Sequence, residues 1–187
     1  MGTPRIVIVS GSPGTGKTTL ARHLAEQHKL VLLQRDALKE RMFDGLGWSD
    51  RAWSQKVGVA SYKLLYHLLE TILATGHSCI VESNFVQRFD QPVIAELQQR
   101  FGVEIIEVTC VCAPDIAFGR FRARAESGER HPGHVDTTDL EEQRRVIFGW
   151  NYDGLGLPSQ RITVDTTNFE SEEYKEVFEK IEKMLAE

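Results

Sequence analysis

The sequence predicts an α/β fold in which one parallel β-sheet is covered by helices on both faces. Short apolar runs recur at 6–10, 30–34, 78–83, 104–112 and 161–165, and helical patterns separate them. The first run, Ile6-Val7-Ile8-Val9, is β-branched and has no polar alternation, which is typical of a strand buried on both faces. Strands that alternate with helices favour a parallel sheet.

Seven helical segments are expected between and after these strands. The longest is predicted over 49–74, where Val57, Ala60, Leu64, Leu68 and Ile72 would form one apolar face. Because ligands of parallel sheets lie at the carboxyl ends of the strands, functional residues are expected directly after each strand. The other helices are predicted over 17–27, from Asp36 onward, and over 90–100, 114–125, 138–148 and 172–185.

The segment after the first strand carries the most specific pattern in the chain. Gly11-Ser12-Pro13-Gly14-Thr15-Gly16-Lys17-Thr18 matches G-x-x-x-x-G-K-[ST] at every fixed position. The glycines allow backbone N–H groups to point at phosphate oxygens, and the helix N-terminus adds partial positive charge. Lys17 is expected to reach the β- and γ-phosphates, and the Thr18 hydroxyl to ligate Mg²⁺. The motif, extended to Thr19, predicts binding of a nucleoside triphosphate.

The bulk composition is that of an ordinary globular protein. A chain of 187 residues is expected to form a single domain over residues 1–187. No apolar run approaches the ~20 residues that a membrane helix needs. The three cysteines (Cys79, Cys110, Cys112) lie in strand-like runs, which indicates buried thiols and a cytoplasmic protein. The net charge of −5 argues against a surface built for duplex nucleic acid.

The residues after the second strand are candidates for holding a phosphate acceptor. Asp36 would lie near the γ-phosphate and could accept a proton from an acceptor hydroxyl; the alternative is that it only caps a helix. Lys39 follows one turn later on the same face, where a cation could hold an anionic or polar acceptor. Arg35 is a third candidate, although charged residues on a short helix are often only solvated.

The third strand ends in a carboxylate and an amide. Glu82 is placed to orient the water shell of Mg²⁺, or alternatively to face the acceptor. Asn84 is either an acceptor contact or a turn residue.

A region rich in arginine, over about 119–135, predicts an anion-binding lid. Arg120 and Arg124 share one helix face, and Arg130 lies in a segment that Gly128, Pro132 and Gly133 would allow to pivot. The alternative is a charged surface helix with a flexible tip. We expect Arg124 and Arg130 to act in catalysis and Arg120 to contact the nucleotide.

Two further places are weaker candidates. Asp165, at the end of the last strand, could contact the adenine or simply form a turn. Trp150 and Tyr152 could wall an acceptor pocket, or fill the core.

Three stretches of the chain together resemble P-loop kinases of the small-molecule and 5′-hydroxyl branch. They are the 11–18 segment, Arg35-Asp36 with Lys39, and Val81-Glu82-Ser83-Asn84. This branch includes polynucleotide 5′-kinase domains, chloramphenicol phosphotransferase, zeta toxins and gluconate-type kinases. The resemblance implies a P-loop NTPase three-layer sandwich with strand order 2-3-1-4-5, Asp36 as base, and lid arginines at 120, 124 and 130. Lys39 stands where the polynucleotide-kinase pattern has arginine, and Glu82 where the family has aspartate.

The expected function is ATP- and Mg²⁺-dependent transfer of the γ-phosphate to a hydroxyl of a small-molecule acceptor. One alternative is a 5′-hydroxyl kinase acting on nucleic-acid ends. An alternative of a different class is a nucleotide-binding switch or regulatory ATPase that has no acceptor. No membrane partner is expected.

Overall fold

A computed structural model describes residues 3–138 and 140–186 and confirms the predicted α/β fold. All strands are parallel and form one sheet in the order β2-β3-β1-β4-β5. Each predicted strand is present with its ends within one residue of the prediction. The strands are β1 (Arg5–Gly11), β2 (Val31–Gln34), β3 (Cys79–Glu82), β4 (Glu104–Val111) and β5 (Gln160–Asp165).

The helices also follow the predicted order. The largest difference in a starting point is at the fourth helix, which begins three residues before the predicted Asp90 because the Asp90 carboxylate accepts a hydrogen bond from the backbone N–H of Val86. Short 3-10 turns cover Pro132–His134 and Asp136–Thr138. The helices are α1 (Lys17–His28), α2 (Arg35–Leu46), α3 (Arg51–Ala74), α4 (Gln87–Phe101), α5 (Pro114–Glu126), α6 (Leu140–Phe148) and α7 (Glu172–Ala186).

Alternate residues of β1 divide the core into two layers. Ile6 and Ile8 pack toward α3 and α4, whereas Val7 and Val9 pack toward α1 and α7. Successive side chains of a strand point to opposite faces, so a continuous apolar run fills both layers. Within the described residues, no helix combines the length and apolar character needed to cross a bilayer.

The predicted apolar face of α3 is confirmed at Val57 and is displaced by one residue along the rest of the helix. The buried positions include Val57, Leu65, Leu69 and Leu73, whereas Leu64 is 36% exposed. The helix carries leucine or isoleucine at neighbouring positions 64/65, 68/69 and 72/73, so both rows match a helical period. The small buried Ser61 completes the row that packs on the sheet.

The strand register brings three strand ends to one edge of the sheet. Glu82 of β3 lies opposite Val9 of β1 on one side and opposite Gln34 of β2 on the other. The loop that follows β1 and the helix that follows β2 therefore begin beside the end of β3. This edge holds the candidate site.

Candidate active site

The loop over residues 11–18 connects β1 to α1 in a conformation that needs glycine. Gly14 has φ 83°, and a Cβ there would lie 2.0 Å from the carbonyl oxygen of Ala117 in α5. Inside the loop, the Thr15 hydroxyl donates to the Ser12 carbonyl at 2.8 Å. The buried Thr166 hydroxyl, just after β5, bonds to the Thr15 carbonyl. The loop is thus held from both flanks before any ligand binds.

Lys17 is the first residue of α1 and lines the central cavity described below. Its Nζ lies 3.4 Å from the Ser12 carbonyl, so the ammonium folds back over the loop. Burial lowers the pKa of Lys17, and the nearby carboxylates of Glu82 and Asp36 oppose that shift. A cation held over the loop at a helix N-terminus is suited to a polyphosphate.

Thr18 and Glu82 lie side by side at the base of the loop. The Thr18 hydroxyl donates to Oε2 of Glu82 at 3.2 Å, and Nε2 of Gln34 donates to the same oxygen at 3.2 Å. Glu82 is 4% exposed, and burial raises its pKa against the opposing effects of Lys17 and these two hydrogen bonds. A hydroxyl and a carboxylate are hard oxygen donors, so this pair fits Mg²⁺. The position of Glu82 beside Thr18 favours the metal over the acceptor among the roles predicted for it.

Asp36 lies in the first turn of α2, inside the helix, and Gln34 occupies the N-cap position. Its side chain is 42% exposed and lines the cavity. Nη1 of Arg35 donates to Oδ1 at 2.7 Å, and Nη2 of Arg130 donates to Oδ2 at 3.0 Å. Burial alone would raise the pKa of Asp36, but Arg130 and Arg35 hold it well below its usual range. Asp36 is therefore a fixed, ionised hydrogen-bond acceptor.

The lid segment, residues 119–135, is folded onto α2. Its first part belongs to α5, and its last part is the 3-10 turn 132–134. Arg130 bridges Asp36 and Asp136, with Nε 2.5 Å from the Asp136 carboxylate. Nη2 of Arg130 also donates to Nδ1 of His134 at 3.0 Å, so the His134 Nε2–H donates to Glu40 at 3.0 Å. Asp36 and Glu40 are one turn apart on α2, and the lid contacts both.

Gly133 does not serve as the predicted pivot. It is buried, and a Cβ there would lie 2.5 Å from the Phe43 ring. His131 stacks on the same ring with centroids 5.2 Å apart. Gly133 is required for close packing on α2, whereas Gly128, at φ 76° with open space around it, retains the character of a hinge.

The three lid arginines occupy different places. Arg124 and Arg130 both line the cavity, and the Nε of Arg124 is buried with no hydrogen-bond partner among the described residues. Arg120 donates to the carbonyls of Thr166 at 3.0 Å and Thr167 at 2.8 Å. It lies beside the turn after β5, at the outer side of the loop.

Asp165 lies in the same turn as the carbonyls that Arg120 contacts. It is exposed, and its Oδ1 accepts from the Thr167 N–H at 2.8 Å. This geometry matches the turn role that was the alternative to adenine contact.

The central cavity has a volume of about 760 Å³ and joins the 11–18 loop to α2, α3, α4 and the lid. Lys39 lines it, but its side chain is largely buried and Nζ donates to the Ser54 hydroxyl at 2.9 Å. Burial lowers the pKa of Lys39 to about 8, and Arg35 contributes to the same shift. Asn84 also lines the cavity, and its carbonyl accepts from the Tyr62 hydroxyl at 3.1 Å.

The wall that α3 contributes was not predicted. Ser54, Gly58, Tyr62 and Tyr66 recur every four residues and line the cavity. The only signal in the sequence is a glycine inside a long helix. A Cβ at Gly58 would lie 2.9 Å from Nη2 of Arg35, so the glycine makes room for that guanidinium.

Trp150 and Tyr152 are not among the described residues that line the central cavity. The Tyr152 hydroxyl donates to the buried Glu107 at 3.2 Å, and its ring packs against the core. For Tyr152, this geometry matches the core-filling role that was the alternative to walling the acceptor pocket.

Comparison with known proteins identifies the family. A family model described as an AAA domain matches residues 6–149. The chain belongs to this AAA domain family. Uncharacterized proteins of Mycobacterium tuberculosis and Mycobacterium bovis are 30% identical over an alignment of 134 positions that covers 66% of this chain and 26% of theirs. The chain spans about a quarter of the length of these curated relatives.

Solved structures confirm the kinase-like P-loop fold. A protein of Chloroflexus aurantiacus described as a candidate kinase is 40% identical, with a TM-score of 0.87 over 97% of this chain and 98% of that chain. A gluconokinase from Sinorhizobium meliloti is 15% identical, with a TM-score of 0.54 over 98% of this chain and 94% of that chain. An APS kinase of Mycobacterium tuberculosis, in complex with AMPPNP and APS, is 16% identical, with a TM-score of 0.56 over 98% of this chain and 99% of that chain. The similarities to the gluconokinase and to the APS kinase, at 15% and 16% identity, show a shared fold only.

Proposed function

We propose that this protein is an ATP- and Mg²⁺-dependent kinase that transfers the γ-phosphate to a hydroxyl group of a small-molecule acceptor. The observation that carries the proposal is the position of Asp36. Its ionised carboxylate lines the same cavity as Lys17 and is held there by Arg35 and Arg130. A carboxylate fixed in this way is suited to orient a hydroxyl nucleophile for attack on a phosphate held by the 11–18 loop.

The 11–18 loop would hold the triphosphate. Backbone N–H groups at the start of α1 and the Lys17 ammonium would bind the phosphates. Thr18 and Glu82 would hold Mg²⁺, which supplies charge neutralisation to the β- and γ-phosphates when bound. Arg120 and the turn after β5 border the outer side of the loop, where the nucleoside would extend.

Asp36 would orient the acceptor hydroxyl in line with the γ-phosphorus. In the transfer, the bond between the γ-phosphorus and the oxygen bridging to the β-phosphate breaks, and a bond from the acceptor oxygen to phosphorus forms. The hydroxyl proton passes to Asp36 and from there to water. The lowered pKa of Asp36 makes it a weak base, so it acts mainly by positioning and takes the proton late, as a loose transition state allows.

Arg124 and Arg130 would stabilise the charge of the transferring phosphoryl group. Arg124 has a buried Nε without a partner among the described residues, so its guanidinium is available to a ligand. Arg130 is shared between Asp36 and Asp136 and links closure of the lid to the orientation of Asp36. Donors held in place before the reaction stabilise developing charge most effectively.

The free cysteines are consistent with action in the cytoplasm, which we include in the proposal. Burial raises the pKa of both Cys79 and Cys110 to about 12, so these thiols are protonated and inert.

The test is transfer from γ-labelled ATP to a panel of sugars, sugar acids, nucleosides, amino alcohols, alkyl alcohols and oligonucleotide 5′ ends. The wild type should label at least one small-molecule acceptor in the presence of Mg²⁺. Lys17→Ala is the control that shows whether the labelling depends on nucleotide binding. Asp36→Asn is the control that shows whether it depends on activation of the acceptor. Labelling of oligonucleotide ends alone would favour the polynucleotide kinase instead. Slow hydrolysis that no acceptor accelerates would favour the regulatory ATPase.

The lid is tested independently of the acceptor by hydrogen exchange over residues 127–135. Protection should increase when a non-hydrolysable ATP analogue binds, because the arginines of the lid gain phosphate partners. Equal protection with and without the analogue would assign the segment a structural role only.

A further inference from the structure

The far half of the central cavity is a groove between α3 and α4. On α3, residues 54, 58, 62 and 66 face it, and these positions span about 18 Å along the helix axis. The end near Ser54 lies beside Lys39, and Tyr66 lies toward α4. Between them, the Arg35 guanidinium lies beside Gly58 and over the Tyr62 ring. The groove therefore leads away from Asp36 and is longer than the space that a transferred phosphoryl group needs.

Exposed apolar side chains stand on both walls of this groove. Val59 on α3 is 65% exposed, and Phe89 on α4 is 62% exposed. Val86 and Val93 complete the α4 side. Large apolar residues left open to solvent beside a catalytic cavity indicate a surface that a ligand covers.

The tyrosine hydroxyls of the groove wall are already paired within the protein. The Tyr62 hydroxyl donates to the Asn84 carbonyl and accepts from the Ser83 hydroxyl at 2.9 Å. The Tyr66 hydroxyl donates to Asp90, which also accepts from the Val86 N–H. The tyrosines thus present their rings to the groove. An acceptor with hydroxyls along its length would lose hydration there without gaining partners.

Two charged side chains inside the groove are engaged by the protein: Arg35 bonds to Asp36, and Asp90 accepts from Tyr66 and from the Val86 N–H. Other polar side chains lie at the catalytic end and on the outer face of α3. Asp36, Lys39 and Asn84 are at the catalytic end. Gln55 and Lys63 are exposed on the outer face of α3, where they can remain in water.

We infer that the acceptor is an amphiphile: a hydroxyl group that meets Asp36, joined to an apolar or aromatic body that lies in the groove between α3 and α4. The inference rests on the proposed function and specifies its substrate class. The hydroxyl end reacts as described above, and the apolar body supplies binding energy without taking part in the chemistry.

The experiment compares 1-butanol, 1-hexanol and 1-octanol with D-glucitol, a polyol that has the same carbon count as hexanol. Binding is measured by ligand-observed NMR and transfer by γ-labelled ATP. Affinity should rise about fourfold for each added methylene until the groove is filled, since a buried methylene contributes about 0.8 kcal/mol. Glucitol should bind at least tenfold more weakly than 1-hexanol.

Variants locate the binding. Phe89→Ser should weaken 1-octanol binding by about tenfold or more, with ATP affinity unchanged. Leu46→Ser is the matched control, because Leu46 is also 62% exposed but lies outside the described lining of the cavity. Binding that does not depend on chain length, or that both variants reduce equally, would overturn the inference.

The two proposals fail differently. Transfer to glucitol but not to 1-octanol would refute the acceptor class and leave the kinase in place. Absence of transfer to every acceptor of both panels would refute the proposed function and, with it, the assignment of the groove to an acceptor.

Discussion

Gly58→Ala adds one methyl group at the place where α3 passes the guanidinium of Arg35. The new Cβ would lie 2.9 Å from Nη2 of Arg35 and 3.7 Å from Nζ of Lys39. The second distance is ordinary contact, whereas the first requires Arg35 to retreat by about 0.5 Å. Arg35 is also 4.8 Å from the centre of the Tyr62 ring and 2.7 Å from Asp36, so its retreat disturbs the group that orients Asp36.

The substitution should separate stability from activity. Alanine is favoured over glycine inside a helix by about 1 kcal/mol, so the melting temperature should stay the same or rise by ~2–4 °C. A displacement of about 1 Å in a positioning group can cost ~10²-fold in rate, so half of that should lower kcat about tenfold. ATP affinity should not change, because the 11–18 loop is not in contact with Gly58.

A fall in kcat with unchanged ATP affinity and no loss of melting temperature separates a positioning effect from a structural one. Arg35 orients Asp36 through its hydrogen bond to Oδ1, so its displacement should lower kcat alone. Steady-state transfer to the best acceptor of the panel, calorimetry with ATP and thermal melts make up the assay. Gly45→Ala is the matched control, since a Cβ there meets nothing within 4 Å. A Gly58→Ala protein with wild-type kcat would refute the reasoning.

Four other outcomes are expected. Lys17→Ala should abolish ATP binding measured by calorimetry with little change in melting temperature; unchanged affinity would contradict the role of the 11–18 loop. Asp36→Asn should keep ATP binding and slow transfer by about 10²–10⁴, and transfer at the wild-type rate would leave it a structural residue. Burial lowers the pKa of Lys39 from 10.5 to about 8, so between pH 8 and 10.5 the unfolded chain binds more protons and the free energy of unfolding rises with pH. Lys39→Met should remove that rise when the free energy of unfolding is measured by urea denaturation across this pH range; the same dependence on pH in the variant would contradict the argument. Arg124→Ala and Arg130→Ala should each reduce kcat by at least tenfold with a smaller change in ATP affinity, and an equal loss in both quantities would place these arginines in ground-state binding only.

The sheet and the 11–18 loop were predictable because their signals are local. A β-branched run that is buried on both faces, followed by glycines and a lysine at fixed spacing, specifies strand, turn and helix within about twenty residues. Asp36 could be found in the same way, because parallel strands place their carboxyl ends at one edge. Glu82 could be located but not assigned, since the choice between metal and acceptor depends on which neighbour its oxygen meets.

The arrangement of side chains between elements was less accessible. In α3 two adjacent leucine rows both fit a helical period, and only packing against β3 and α4 selects one of them. The sequence predicts Gly133 as part of a hinge, but in the fold Gly133 packs against the ring of Phe43. Trp150 and Tyr152 follow a helix near the expected site, but among the described residues neither lines the central cavity, and the Tyr152 hydroxyl donates to Glu107.

The sequence by itself determined the α/β fold, the strand positions and the loop with Lys17 and Thr18, because each of these follows from hydrophobic period and backbone geometry over short distances. Only the tertiary structure decided which arginines line the cavity, how the lid meets α2, and that α3 and α4 enclose an apolar groove. Those features join residues far apart in the chain, from Tyr66 with Asp90, 24 residues away, to Asp36 with Arg130, 94 residues away. Their contacts exist only after the sheet has brought its strand ends together.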